Sequence, residues 1–129
     1  MKELIILVEI IIIILLLIAS GPEAETQEQK YYLMTATAYY PGPECTHPFT
    51  DGFTAIGDIA GKGCIAIDDR NGPLKMGQMV FIEGYGIGKC NDRGSAIKDW
   101  KVDLCFDTLE EAQEWGVKLV KVYLIEGGK

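Results

Sequence analysis

Basic residues are scarce. Twelve Lys and Arg stand against nineteen Asp and Glu, giving a formal net charge of −7 and an isoelectric point near 4.6. A general nucleic-acid binder needs a basic face to neutralise phosphates, so no nucleic-acid partner is expected. Histidine is almost missing. His47 is the single one, set between Thr46 and Pro48 in a loop, and it reads as a surface residue rather than a catalyst. No two of the four cysteines form a Cys-x-x-Cys pair, which argues against a zinc site. Internal repeats are absent, and 129 residues allow one domain rather than two. Apolar residues make up 48% of the chain, so the composition does not suggest disorder.

Long hydrophobic runs are confined to the start. Residues 10–19 are unbroken apolar sequence, and residues 4–8 extend the run back past Glu9. A short Lys-bearing start followed by such a run is the pattern of a secretory signal or a membrane anchor. The stretch is short for a span, which needs roughly 20 apolar residues. Ala19 and Gly21 make a poor cleavage site because Pro22 follows, so signal peptide and anchor both stay open for residues 1–21. A buried helix is disfavoured, since residues 10–19 lack a solvent face. In either case the body is expected outside the cytoplasm, secreted or held at the membrane's outer face. Residues 22–30 are polar and acidic, and read as a tether to a domain over 31–126.

That body holds Cys45, Cys64, Cys90 and Cys105. An even count in an exported protein favours disulfides, with three possible connectivities. Free buried thiols are the alternative.

Strand signals fill the body. Residues 31–40 are rich in aromatic and β-branched types. Residues 41–63 are Gly- and Pro-rich, and read as loop with at most a short strand. Further strands are expected over 63–68, 78–83, 86–91, 101–106 and 118–125. One helix is expected. Thr108 and Glu111 fit a capping box, Leu109, Ala112 and Trp115 share a face, and Gly116 ends it. Six short strands and one short helix indicate a mainly β fold, a small closed barrel, which composition does not separate from a small sandwich.

Three acids depart from the solvated background. Asp68 follows the apolar run 64–67, Asp103 lies inside Val102-Asp103-Leu104-Cys105-Phe106, and Asp92 ends the strand over 86–91. A carboxylate within or capping an apolar strand costs free energy unless something satisfies it. A turn cap or an ion pair is the bland reading of any one of them. Like charges converging on one pocket would keep one carboxyl protonated near neutral pH, as a general acid requires. An Asp-lined divalent-metal site is a further reading, but ligands this dispersed are a weak signal, and no metal or cofactor is expected.

These residues resemble a known family. Thr37-Ala38-Tyr39, Asp51-Gly52-Phe53-Thr54-Ala55-Ile56-Gly57, Ala66-Ile67-Asp68, Pro73-Leu74, Asp92-Arg93-Gly94-Ser95-Ala96-Ile97-Lys98 and Val102 to Phe106 follow in order the pattern of the 3D domain, named for three aspartates. Glu111-Ala112, Trp115-Gly116 and Val122-Tyr123-Leu124 complete it. The resemblance implies a six-stranded double-psi β-barrel. It also implies kinship with the catalytic barrel of MltA-type lytic transglycosylases and with Gram-positive stationary-phase wall hydrolases. Those enzymes cut the β-1,4 bond between N-acetylmuramic acid and N-acetylglucosamine in peptidoglycan and leave 1,6-anhydromuramyl ends. Two positions depart from the pattern. Arg93 stands where a hydroxyl residue is usual, and Asp99 where glycine is usual. Arg93 could pair with Asp92, or bind a carboxylate of a muramyl peptide.

On that resemblance Asp103 is the expected acid/base, with Asp92 and Asp68 raising its pKa or orienting it and the substrate. Thr37, Tyr39, Thr54, Arg93, Gly94, Ser95 and Lys98 are the expected substrate contacts, and peptidoglycan glycan strands the expected partner. The rival class is a non-catalytic, expansin-like wall-binding module.

The same aspartates suggest a cysteine pairing. Strand residues two apart share a face. Cys90 is two before Asp92 and Cys105 two after Asp103. If both acids face one pocket, a Cys90–Cys105 bridge follows and Cys45 is left with Cys64. The competing pairing is Cys45–Cys90 with Cys64–Cys105.

Overall fold

The computed structural model describes residues 1–21, 27–42 and 52–125. Cys45 and His47 lie outside the described residues. Helix α1 (Lys2–Ala19) opens the chain and buries none of its residues. At 1.5 Å per residue its 18 residues reach ~27 Å, less than the ~30 Å of a hydrocarbon core. No helix among the described residues is long and apolar enough to cross a membrane.

Six strands follow: β1 (Tyr32–Tyr39), β2 (Cys64–Ala66), β3 (Met79–Ile82), β4 (Gly86–Asp92), β5 (Lys101–Cys105) and β6 (Lys118–Leu124). They close into a barrel in the order β1-β5-β2-β4-β3-β6. Closure is the step that composition could not decide. It occurs because β1 pairs in parallel with β5 on one side and antiparallel with β6 on the other. A second parallel pair joins β2 to β4.

Alternation sorts the side chains. Met34, Ala36, Ile65, Val80, Ile82, Cys90, Val102, Leu104, Val120 and Val122 point inward and form the core. Helix α2 (Leu109–Trp115) covers one end of it. The Thr108 hydroxyl accepts from the Glu111 N–H, and Gly116 stops the helix at φ 67. The Glu111 carboxylate reaches back to the Thr108 hydroxyl at 3.0 Å rather than to its backbone N–H. Ala112 and Trp115 are buried. The Trp115 indole N–H donates to the Ala36 carbonyl at 3.3 Å. Its ring packs with Tyr85 and Phe106. Tyr85 fastens two strand ends. Its hydroxyl accepts from Gly63 N–H at 2.7 Å and donates to the Cys105 carbonyl at 2.7 Å.

Strand β2 is shorter than its apolar run. Ile67 still donates to the Asp92 carbonyl at 3.0 Å, but Asp68 turns away to serve a loop.

Candidate functional site

The site forms where three strands meet at Ala66. Ala66 stands opposite Asp92 on β4 and opposite Asp103 on β5, and Asp103 stands beside Thr37 on β1. Two carboxylates thus flank a methyl side chain, their backbones about 10 Å apart across two strand spacings. This face is the outer wall of the barrel, since the neighbours Ile65, Leu104 and Ala36 point into the core.

A bulge makes the arrangement possible. The β2–β4 register shifts between Ile65 and Ala66, so that Asn91 is the extra residue. Asn91 and Asp92 then both serve the outer wall. The Asn91 amide reaches Asp58 Oδ2 at 3.0 Å and Cys64 Sγ at 3.3 Å. Asp92 accepts from the Tyr39 hydroxyl at 3.1 Å and from the N–H groups of Ala55 and Arg93 at 2.9 Å each.

Asp103 accepts a hydrogen bond from the Thr37 hydroxyl at 2.9 Å. Burial pushes its carboxyl above the ordinary carboxylate range. The Thr37 bond and the Lys101 charge pull it down, and the nearby Asp92 carboxylate pushes it up. Asp68 plays a different part. Its carboxylate accepts from Asp99 N–H at 2.8 Å and from Arg70 and Asn71 N–H at 3.2 Å each. These bonds, with Asp99 first, hold it below the usual range. Asp92 and Asp103 are therefore brought together, and Asp68 organises the adjoining loops.

The other expected contacts divide. Tyr39 is buried with its hydroxyl on Asp92, and desolvation holds that phenol far above its ordinary range. Thr54 is buried too, accepting from Asp58 N–H at 3.1 Å. Arg93 forks onto Asp69, at 3.0 Å and 2.8 Å, and not onto Asp92. Arg93, Gly94, Ser95 and Lys98 line an open cleft of about 270 Å³ together with Asp68, Asp69 and Arg70. That cleft begins one residue beyond Asp92. Ala66 and Lys101 escaped the sequence reading. Nothing in an isolated alanine or lysine marks it, and only the register does.

The expected Cys90–Cys105 bridge is corrected. Cys64, Cys90 and Cys105 are free and buried. The bulge breaks the rule that residues two apart share a face, so Cys90 points into the core while Asp92 does not. Strand β2 also lies between β4 and β5. That puts the Cys90 and Cys105 backbones about two strand spacings apart, beyond the ~7 Å that a disulfide tolerates. Cys64, not Cys90, shares a cluster with Cys105 and Tyr39 on the outer wall. Burial pushes the Cys90 and Cys105 thiols up to about 12. The expected partner Cys45 lies outside the described residues. Among the described residues no group of His, Cys, Asp and Glu is placed to hold a metal ion.

Residues 63–126 match the 3D domain. The chain belongs to the 3D domain family. The matched segment runs from the start of β2 through β6 and contains Asp68, Asp92 and Asp103. The chain is also 35% identical over 103 residues to the cell wall-binding protein YocH of Bacillus subtilis (strain 168), covering 77% of this chain and 34% of that protein. It is 43% identical over 61 residues to the putative cell wall shaping protein YabE of the same organism, covering 47% of this chain and 14% of that one. The chain thus spans about a third or less of the relatives' lengths.

The 3D barrel explains one departure from the family pattern. Asp99, where glycine is usual, has φ 56. Its N–H is the strongest anchor of Asp68. Its carbonyl, with that of Asp68, lies where a side chain on Gly72 would collide. Asp99→Gly should keep these bonds and relieve the left-handed strain, for a gain of about 0.5–1 kcal/mol. Urea denaturation measures it, and a lower midpoint in the variant would show that the Asp99 side chain carries weight of its own.

Proposed function

We propose that this domain acts on bacterial cell-wall peptidoglycan as a lytic transglycosylase, with Asp103 as its acid/base. The observation that carries the reading is the Asp103 carboxyl, raised by burial, held by Thr37 and flanked by Asp92. Such a group keeps its proton at a pH where a free aspartate has lost it. In the proposed step Asp103 gives that proton to the glycosidic oxygen as the bond to the muramyl anomeric carbon breaks. The resulting carboxylate takes the proton from the muramyl 6-hydroxyl as its oxygen attacks the same carbon. The acid is restored and no water is consumed. Asp92, fixed by three donors, acts through its charge. The cleft beyond it offers Ser95, Lys98, Arg70 and the Gly94 backbone to the substrate. The two parallel pairs, β1–β5 and β2–β4, support a double-psi winding. The leader, 1–21, is proposed to export the chain as a signal or an anchor, with 22–30 as tether.

The name of the relative YocH favours a second reading, a module that binds wall without cleaving it. Incubating the full chain with purified peptidoglycan and weighing the soluble products separates the two. Anhydromuropeptides support the transglycosylase. Reducing ends would mean hydrolysis, and intact glycan retained by the protein would mean binding alone.

The electrostatics also predict a pH response. Activity needs protonated Asp103, so it should fall as pH rises through the raised pKa. Asp92→Asn removes the charge that helps raise it, and the alkaline limb should move to lower pH. Thr37→Val removes a bond that favours the charged form, and the limb should move to higher pH. Profiles of kcat against pH for the two variants test this, and shifts of the same sign would exclude the proposed coupling.

A further inference from the structure

The outer wall does not end at the acid. Along β1 the face that carries Thr37 continues through Thr35 and Leu33 to Tyr31, about 20 Å at 3.3 Å per residue. The register extends it sideways. Lys101 and Leu119 flank Thr35, and Lys121 stands opposite Leu33. Tyr123 stands opposite Phe81. The far end is a row of three rings. Tyr31 and Tyr123 lie 5.7 Å apart by centroid, and Tyr123 and Phe81 6.3 Å. The Lys121 ammonium sits 4.9 Å over the Tyr31 ring. Tyr31 is 48% exposed and Phe81 44%, so neither serves the core.

Charge points to the occupant. The chain carries a net −7. Yet the outward residues of β1, β5 and β6 along this track include Lys101 and Lys121, and no carboxylate but Asp103. Open aromatic rings suit the apolar faces of pyranoses, and the threonine hydroxyls suit their polar rims. Two ammonium groups suit the carboxylates of an anionic glycan. From this we infer that the outer wall from Asp103 to Tyr31, Tyr123 and Phe81 is a binding track for a strand of anionic, β-linked amino-sugar polysaccharide. It rests on the reading of Asp103 for its direction, and it explains how a small barrel holds a polymer.

The test uses the full chain and purified insoluble peptidoglycan in a pelleting assay at low and at high salt. The doubly substituted Tyr31→Ala, Phe81→Ala chain should lose about tenfold in affinity, the scale of two ring contacts. Tyr31→Leu with Phe81→Leu keeps the apolar bulk, guards against unfolding, and should lose as much. Lys121→Gln should weaken binding at low salt and make little difference at high salt, where charge is screened. Analysis of the supernatant for released fragments separates the two readings. If the unaltered chain pellets through its rings but releases no fragments, the track stands and the acid role falls. Undiminished pelleting by both ring variants would overturn the track. So would ring variants that lose only self-association in sedimentation, which would make the face a contact between copies.

Discussion

Asp103→Asn should lower the rate of peptidoglycan cleavage by on the order of 10²–10⁴-fold, the usual contribution of a positioned acid/base. The substitution conserves shape and still accepts from Thr37, whose hydroxyl lies 2.9 Å from the carboxyl oxygen. What it removes is the capacity to give a proton and take one back. Folding should survive, because the raised pKa shows that the charged form is the disfavoured one in the native site. Neutralising it therefore costs no paired charge. Circular dichroism checks the fold, and mass analysis of released fragments checks the rate. A folded variant with near-normal turnover would remove Asp103 from the mechanism and leave the binding module as the better reading.

Trp115→Ala should cost about 3–5 kcal/mol, the range for deleting a buried indole. A domain of this size is stable by only ~5–10 kcal/mol, so the variant should sit near the edge of folding. Trp115 is 7% exposed. It closes one end of the barrel, packing on Tyr85 and Phe106 and donating to the Ala36 carbonyl. Ala36 precedes Thr37, so the same contact steadies the strand that positions Asp103. Trp115→Phe should recover most of the packing and lose only the indole hydrogen bond, at about 0.5–1.5 kcal/mol. Urea unfolding of both variants measures the difference. A loss under ~1 kcal/mol for Trp115→Ala would mean that the core closes without the helix.

The strands and helix were legible because their signals are local. Aromatic and β-branched residues marked β1, Thr108 with Glu111 marked the start of α2, and Gly116 its end. The order of the aspartate motifs made the family legible as well. The facing of Asp92 was not legible. One unpaired residue, Asn91, changes which side chains share a wall, and a bulge leaves no mark in a strand's composition. With that extra residue Asp92 stands on the outer wall while Cys90 points into the core, so facing read two residues at a time fails there.

Asp68 shows the limit from another side. In sequence it looks like its two fellows, an acid at the edge of an apolar run. Its surroundings assign it to three backbone N–H groups, one of them thirty-one residues away in sequence. Arg93 is comparable, since its neighbour in sequence is Asp92 and its neighbour in space is Asp69. The element types, the acidic body, the apolar first helix and the three aspartates were readable along the chain, because each depends on residues close together in it. Tertiary structure decided barrel closure, the meeting of Asp92, Asp103 and Thr37 around Ala66, the turning of Cys90 into the core and the row of rings on the far wall. Those depend on strand order and register. Register is set by long-range hydrogen bonds across the whole barrel, where a shift of one residue exchanges every inward side chain for an outward one.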